Sequence, residues 1–277
     1  MGENVLLAGC GDLGLRVAQR LLARGDRVWA LRRTPPGDAD QRIQWLRWDL
    51  TEPASLRSLP ADMSQVVYLP APDRRDACTY GALFVDGLRH LLAAMDHGSL
   101  QRVLLVSSSA VYGEHHGAWV DEDTASAPLG FNGSLLRDAE SWLATQPQRS
   151  IVLRLAGLYG PGRLALAERL RAGQVKVPRQ VPHWANRVHI DDAAAAVAHL
   201  LQLPDPQALY LGVDDTPLPL DVLYDHLARL LDAPLPLDGP SPAGVGSKRL
   251  SNARLRASGF VPHWPDARDG YAALLRR

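Results

Sequence analysis

The sequence predicts an α/β fold in which a doubly wound parallel sheet is joined to a small mixed C-terminal lobe. Short apolar runs alternate with stretches whose apolar residues recur at helical spacing, and this alternation is typical of parallel sheets. The runs 103–106 and 151–153 are apolar throughout, as in strands that are covered on both faces. The 46% hydrophobic and 22% charged residues fit a globular protein.

The predicted elements follow one another in a regular order along the chain. Strands are predicted at residues 5–8, 28–31, 43–48, 66–69, 103–106, 151–153 and 209–212. Helices are predicted at residues 13–23, 82–95, 135–144, 191–203, 220–231, 253–258 and 266–275. The pair Asp191 and Asp192 opens the fourth of these helices, where an acidic side chain can cap the free N–H groups.

A glycine-rich turn, with Gly9, Gly11 and Gly14, joins the first predicted strand to the first predicted helix. Gly9 permits a tight turn, Gly11 lets the backbone approach a pyrophosphate, and Gly14 lets the helix pack closely on the strand. The helix N-terminus adds free N–H groups for the anion. In this context the motif predicts a Rossmann-type NAD(P) site to which Asp12 and Leu13 also contribute. The alternative is an ordinary glycine-rich βα turn.

The end of the second strand favours NADP over NAD, although NAD stays open. NAD sites carry an acidic residue there for the ribose hydroxyl, whereas this chain has Arg32 and Arg33, which can clamp a 2′-phosphate. The alternative is a pair of solvated arginines. Asp49, after the third strand, can accept from the adenine amino group or cap the following helix near Thr51 and Glu52. Four further residues are expected to line the cofactor: Leu50, Leu69, Pro70 and Ala71.

Prolines become frequent beyond Gly160, and the regular alternation loosens there. We therefore expect residues 1–158 to form the NAD(P)-binding domain, rejoined by about residues 187–215. Residues 159–186 and 216–277 are expected to form a small substrate-binding lobe.

Charge, cysteines and hydropathy exclude several classes of protein. Thirty acidic residues balance thirty basic ones, so no overall field favours nucleic acid or an anionic membrane. No apolar run reaches the ~18 residues that a membrane helix needs, and the N-terminus lacks the basic region of a signal peptide. Two cysteines, one of them inside the glycine turn, indicate a reduced, cytoplasmic protein. No metal site is predicted.

Hydroxyl groups follow the central strand at 103–106. The segment 106–113 contains Ser107, Ser108, Ser109 and Tyr112, at the end of a strand where open α/β sheets keep their ligand crevice. A hydroxyl there can bond a nicotinamide or a substrate carbonyl. We expect Ser107 to contact the cofactor and Ser109 the substrate.

These motifs, with the segments 154–162, 186–192 and 248–252, resemble the extended and atypical short-chain dehydrogenase/reductases, which include NAD(P)-dependent sugar epimerases and dehydratases. The resemblance implies that Ser108 orients the reacting oxygen. It also implies a catalytic Tyr and Lys four residues apart, and alignment on Glu140 places that pair at Asn132 and Leu136. The usual proton relay is therefore absent, since Asn132 cannot titrate. Five residues are candidate substitutes: Tyr112, His115, His116, Asp121 and Glu122.

The same resemblance implies an NAD(P)-dependent oxidoreductase of epimerase/dehydratase type acting on a nucleotide sugar or a small carbonyl compound. The alternative is a non-catalytic NADP-binding redox sensor or scaffold. A homodimer is one possible assembly of the chain. Gly157 is a departure, because many relatives carry Asn there. Beyond Ser109, the implied substrate residues are Tyr159, Arg163, Asn186 and Lys248.

Overall fold

The computed structural model describes residues 2–37, 40–56 and 59–276. Seven strands form the main sheet: β1 (Asn4–Ala8), β2 (Arg27–Arg32), β3 (Ile43–Arg47), β4 (Gln65–Tyr68), β5 (Arg102–Ser108), β6 (Arg149–Leu155) and β7 (Leu209–Gly212). Their order across the sheet is β7-β6-β5-β4-β1-β2-β3. The neighbouring pairs from β3 to β5 are parallel. The predicted doubly wound α/β fold is confirmed.

Strand β1 is the centre of this arrangement, because it pairs with β2 on one side and with β4 on the other. All five of its residues are buried, as expected for a strand with neighbours on both edges and cover on both faces. Leu6 lies opposite Trp29 of β2 and Val66 of β4. The carboxyl ends of β4, β1 and β2 therefore lie side by side.

Nine α-helices lie in the described residues: α1 (Asp12–Ala23), α2 (Ala77–Tyr80), α3 (Gly87–Ala94), α4 (Phe131–Leu143), α5 (Ala165–Arg171), α6 (Ile190–Leu200), α7 (Leu220–Leu230), α8 (Ala253–Ala257) and α9 (Ala267–Leu275). Helix α1 shows why the sequence forms them. Its apolar residues Leu13, Val17, Ala18 and Leu21 share one buried face, while its polar residues stay on the other.

The predicted helix at 82–95 differs from the structure. The chain forms α2, then a π-helix at Gly81–Asp86, and only then α3. The wider turn accompanies a specific contact, because the buried Tyr68 hydroxyl donates to the carbonyl of Leu83. Apolar periodicity does not distinguish these helix types, and π-turns occur frequently at functional sites.

The described chain divides into two compact units. The first runs to Val111 and includes Gly130–Arg154 and Ala194–Tyr210; the second comprises Tyr112–Leu129, Leu155–Ala193 and the chain from Leu211 onward. The second unit has its own apolar core, to which Leu170 of α5, Leu223 of α7 and Tyr271 of α9 contribute. Short strands complete this unit, among them Trp119–Val120, which pairs in parallel with Arg249–Leu250. Within the described residues, every helix is too short or too polar to span a membrane.

Candidate functional site

A cavity of about 620 Å³ opens at the carboxyl ends of β1, β2, β3 and β4, the edge at which open α/β sheets bind ligands. All of its lining residues belong to the first unit. They are the turn residues Gly9, Cys10 and Gly11, the strand-end stretches 31–34, 48–51 and 70–74, and Cys78, Thr79, Ala82 and Leu83. The cavity thus brings together most of the residues that the sequence predicts for the cofactor.

The glycine turn beside the cavity needs glycine at two positions for steric reasons. Gly9 has φ +85°, and a Cβ atom there would lie 2.5 Å from the Cα of Pro70. A Cβ atom at Gly14 would lie 2.9 Å from Leu69 Cδ1, so Gly14 permits the close packing of α1. Gly11 differs, because a Cβ atom there would meet nothing within 4 Å. The space beside Gly11 is therefore open to a ligand.

Two flanking residues of the turn play local roles. Asp12 begins α1 and pairs with Arg16 at 2.9 Å, and Leu13 belongs to the buried face of the helix. Burial raises the pKa of the Cys10 thiol to about 12, against an opposing effect of Arg32. This thiol therefore stays protonated and acts as a small apolar group.

The two arginines after β2 differ in their surroundings. The guanidinium of Arg33 forms an ion pair with Asp73, and hydrogen bonding to Asp73 raises the pKa of Arg33. Both residues line the cavity, Arg33 beyond β2 and Asp73 beyond β4, and β1 lies between these two strands. Arg32 is exposed and lines the cavity, and its charge acts on Cys10 in the glycine turn. Asp73 is a cavity residue that sequence reasoning missed.

Asp49 lies in the cavity wall, and one of its carboxylate oxygens is already hydrogen-bonded to Thr51. Its Oδ1 atom accepts from the Thr51 backbone N–H at 2.9 Å and from the Thr51 hydroxyl at 2.7 Å. This is the local turn that competes with a role in adenine recognition. Both uses of the side chain stay compatible, because Oδ2 takes part in neither bond.

A buried ionic network lies behind the end of β5. Arg154 of β6 donates from Nη2 to Glu140 Oε2 at 2.6 Å and from Nε to Oε1 at 3.1 Å. Ser107, at 5% exposure, donates its hydroxyl to Glu140 Oε1. Ser107 is thereby fixed as part of the scaffold, while the next serine, Ser108, is partly exposed and its Oγ accepts from the Ala110 N–H. Ser109 opens a short 3-10 helix at Ser109–Val111.

Helix α4 carries the two positions where the resemblance implies a Tyr and a Lys. Leu136 is 3% exposed and belongs to the apolar face of the helix, whereas Asn132 lies in its first turn and is partly exposed. Glu140 is held by Arg154, so the register of α4 is fixed at the residue on which the alignment rests. A leucine and an amide cannot transfer protons between them.

The candidate substitutes for that relay lie in the second unit and are mostly engaged. The Tyr112 hydroxyl, in a side chain 1% exposed, donates to the Asp121 carbonyl at 2.8 Å. Asp121 accepts from Thr124, and the buried Glu122 accepts from the Leu211 N–H at 3.0 Å. Burial raises the pKa of Glu122. These bonds stabilise loops of the second unit.

The predicted substrate residues of the second unit have distinct environments. Tyr159 is buried, stacks on Tyr271 with ring centroids 4.4 Å apart, and its hydroxyl makes no hydrogen bond within the described chain. Arg163 is exposed beyond Gly162. Both polar atoms of the Asn186 side chain are hydrogen-bonded. Its amide nitrogen donates to the Lys248 carbonyl, and its amide oxygen accepts from the Leu250 N–H.

The surroundings of Gly157, where the resemblance leads one to expect Asn, are crowded on the side that a Cβ atom would face. A Cβ atom at Gly157 would lie 2.9 Å from an Arg187 guanidinium nitrogen and 3.2 Å from the Asn186 carbonyl oxygen. Arg187 thus occupies the space that a side chain at this position would need.

Comparison with known proteins agrees with this architecture. A family model described as the NAD dependent epimerase/dehydratase family matches residues 5–212. Protein YeeZ of Escherichia coli K12 is 30% identical over 274 residues, which cover 95% of this chain and 97% of YeeZ. D-erythronate dehydrogenase of Cupriavidus necator is 32% identical over 200 residues, which cover 63% of this chain and 62% of that enzyme.

Solved structures extend the similarity over the whole fold. A structure from Methylobacillus flagellatus, assigned to the NAD-dependent epimerases/dehydratases, has a TM-score of 0.84 at 38% identity and covers 100% of this chain and 98% of its own. The UDP-glucose 4-epimerase of Thermus thermophilus, solved with NAD, shares the fold with a TM-score of 0.79 at 20% identity, and covers 99% of both chains. The family match spans most of the chain and confirms the resemblance. This chain belongs to the NAD-dependent epimerase/dehydratase family.

Proposed function

We propose that this chain is an NAD(P)-dependent oxidoreductase of the epimerase/dehydratase type that prefers NADP. The observation that carries the proposal is the open space beside Gly11, at the N-terminus of α1 and inside the cavity of about 620 Å³. A pyrophosphate placed there meets free N–H groups and the positive end of the helix dipole. A bound nicotinamide would supply the hydride chemistry.

Arg32 supports the preference for NADP. Its exposed guanidinium lies at the carboxyl end of β2, where NAD-preferring sites carry an acidic residue. Arginine offers a planar fork of donors that matches a phosphate. Arg33 is less available, because Asp73 occupies its guanidinium. We therefore assign the principal contact with the 2′-phosphate to Arg32, and a secondary one to Arg33.

For the substrate we propose a nucleotide sugar or a small hydroxylated carbonyl compound. Two similarities support this class: the fold is shared with a UDP-glucose 4-epimerase, and a relative is a D-erythronate dehydrogenase. Ser108 would orient the reacting oxygen. We assign Ser109 to the substrate side, together with Tyr159, Arg163 and Asn186, which belong to a lobe formed by residues 159–186 and 216–277.

The second candidate is a non-catalytic NADP-binding sensor or scaffold. The observation that favours it is the buried, apolar Leu136 at the position of the family's lysine, together with Asn132 in place of its tyrosine. A chain that kept the cofactor cavity and lost the proton relay would bind NADP without turning it over.

A turnover assay separates the two candidates. Purified protein is incubated with NADPH and aldoses, with NADP⁺ and aldonates, and with either cofactor and nucleotide sugars. The redox state of the cofactor is followed by absorbance, and nucleotide-sugar products are separated by chromatography, because an epimerase or dehydratase returns its cofactor to the starting state. The oxidoreductase proposal predicts sustained turnover with at least one compound and its loss in Ser108→Ala. Tight NADPH binding with no turnover across the panel would favour the sensor. Turnover that is unaffected by Ser108→Ala would exclude the sensor and contradict the assignment of Ser108.

A further inference from the structure

Three segments of the second unit meet in what we call the polar corner: residues 112–118, 182–186 and 246–250. Ser247 joins all three. Its N–H donates to the Glu114 carboxylate at 3.0 Å, and its carbonyl accepts from the N–H groups of His115 and Gly117. Its hydroxyl accepts from the Trp184 N–H at 3.3 Å. The corner is therefore a rigid structure built largely from backbone hydrogen bonds.

Close backbone packing adds to this rigidity. A Cβ atom at Gly246 would lie 2.2 Å from the Gly113 carbonyl oxygen, so two chain segments touch without side chains between them. Arg249 is also fixed. Its guanidinium lies 5.0 Å from the centre of the Trp119 ring and 4.8 Å from that of Trp184, and its Nε donates to the Gly117 carbonyl at 2.7 Å.

Lys248, the neighbour of Arg249, is more deeply buried and has fewer partners for its charged group. The side chain is 5% exposed, and within the described residues its ammonium makes one hydrogen bond, to the Gly246 carbonyl at 3.2 Å. Lys248 forms no ion pair within the described residues. An ammonium has three N–H donors, so two remain unused. Burying a cation with so little compensation is unfavourable.

The acidic group that acts on Lys248 does not form an ion pair with it. Glu114 acts on Lys248 electrostatically, but its carboxylate accepts from the backbone N–H groups of Ser247, His115 and His116. His183, 4% exposed, is the other titratable group that interacts with Lys248. Burial lowers the pKa of both Lys248 and His183. The polar corner also contains a buried polar atom without a hydrogen-bond partner in the described chain, the Nε2 atom of His115.

The composition of the chain makes the choice of lysine informative. The sequence has 28 arginines and 2 lysines, Lys176 and Lys248. Lys176 is exposed, whereas Lys248 occupies one of the most buried polar positions. Arginine serves nearly everywhere else as the cation, and position 248 is where this chain buries an ammonium. Lysine is the cation that can present a point charge to an oxyanion in a confined site.

We propose that the polar corner is an oxyanion subsite in which Lys248 is the charged donor and the substrate supplies a carboxylate or a phosphate. The unused N–H donors of Lys248 and the orphan Nε2 of His115 are the groups that such an oxyanion would satisfy. The assignment of the oxyanion to the substrate rests on the proposed function; the existence of the subsite does not.

Selective labelling makes the test direct, because the chain has only two lysines. Protein carrying ¹³C in its lysine side chains is titrated by NMR with D-erythronate as the carboxylate probe, with inorganic phosphate, and with the neutral polyol erythritol. The proposal predicts that one oxyanion shifts the Lys248 signals saturably while those of Lys176 stay in place. A shift by erythronate alone identifies a carboxylate, and a shift by phosphate alone identifies a phosphorylated ligand. Lys248 signals that respond to neither, or equally to erythritol, overturn the proposal.

Two variants distinguish oxyanion binding by Lys248 from a purely structural role of this residue. Lys248→Met removes the charge but keeps the length, and we expect it to lose saturable oxyanion binding while unfolding at or above the temperature of the unmodified protein. Lys176→Met is the matched control and should bind normally. A Lys248→Met protein that still binds the oxyanion contradicts the subsite. NADPH titration of the same samples reports the proposed function separately, because a chain that fails to bind NADPH can still show the Lys248 shift.

Discussion

Arg154 reaches both carboxylate oxygens of Glu140, and both side chains are 8% exposed. The pair joins β6 to α4, and Ser107 joins β5 to the same carboxylate. Because a buried ion pair is stable only when its remaining hydrogen-bonding groups are satisfied, this network fixes the position of α4 beside the sheet. The placement of Asn132 and Leu136 follows from that position.

Removing one charge from this network should be strongly destabilising. Glu140→Gln removes the carboxylate charge that Arg154 faces in a buried site, and we expect the free energy of unfolding to fall by about 3 to 5 kcal/mol. Urea unfolding monitored by circular dichroism measures the change. The double variant Glu140→Leu with Arg154→Met removes both charges and should recover a large part of the loss. A single variant as stable as the parent would show that the pair contributes little.

Asp73 is expected to compete with the 2′-phosphate for Arg33. Both side chains are more than half exposed, so their ion pair is worth no more than ~1 kcal/mol, or about fivefold in affinity. Asp73→Asn should therefore tighten NADPH binding by up to about fivefold and leave NADH binding unchanged, as measured by fluorescence titration. Asp138→Asn breaks an exposed ion pair with Arg137 elsewhere and is the control. Equal tightening for both cofactors would speak against a contact with the 2′-phosphate.

The hydroxyl of Tyr68 is expected to hold the π-helix that forms one cavity wall. Tyr68→Phe removes the donor to the Leu83 carbonyl, and the loss of a buried hydrogen bond costs about 1 to 3 kcal/mol. Since Ala82 and Leu83 line the cavity, NADPH affinity should fall together with stability. Tyr210→Phe removes a hydroxyl that accepts from the Gln207 N–H and serves as control. Unchanged affinity in Tyr68→Phe would separate the π-helix from the ligand site.

Asp214 predicts a pH dependence of stability. The side chain is 3% exposed, and burial raises its pKa from 3.8 to about 8. The folded state therefore holds a proton that the unfolded state releases, and stability from this group is complete below pH 3.8 and lost as the pH rises to about 8. The slope is about 1.4 kcal/mol per pH unit.

The variant Asp214→Asn isolates this effect, because an amide carries no charge to bury. We expect its free energy of unfolding to exceed that of the parent at pH 8 and to approach it near pH 4, in urea titrations at each pH. Asp205→Asn, at an 82% exposed side chain, should follow the parent at both values. A difference between Asp214→Asn and the parent that does not change with pH would contradict the raised pKa.

The strands of the sheet could be predicted from the sequence because each is a short apolar run between turn residues. All seven predicted runs lie within two residues of the observed strands. Helix α4 was harder, since it begins at Phe131 and not at residue 135, after a Gly130 that carries no capping side chain. Helices α2 and α5 are too short to show a clear apolar period.

The glycine turn and Arg32 could be found from sequence because their roles depend on neighbours along the chain. The Arg33–Asp73 pair could not, because it joins residues forty positions apart and depends on the order β4-β1-β2. The burial of Lys248 could not be predicted from the sequence either. It follows from backbone hydrogen bonds between three separate segments, and those leave no periodic signal in the sequence.

The central claim is that the space beside Gly11 holds the cofactor pyrophosphate, and a calorimetric titration of NADPH into Gly11→Ala tests it most directly. A methyl group there meets no protein atom within 4 Å, and φ is −90°, so the variant should fold with unchanged stability. Gly37→Ala also adds a methyl group into open space, at a position outside the cavity lining, and is the matched control. The account predicts that Gly11→Ala loses NADPH binding while Gly37→Ala retains it. A stably folded Gly11→Ala protein that binds NADPH as tightly as the parent would contradict the account.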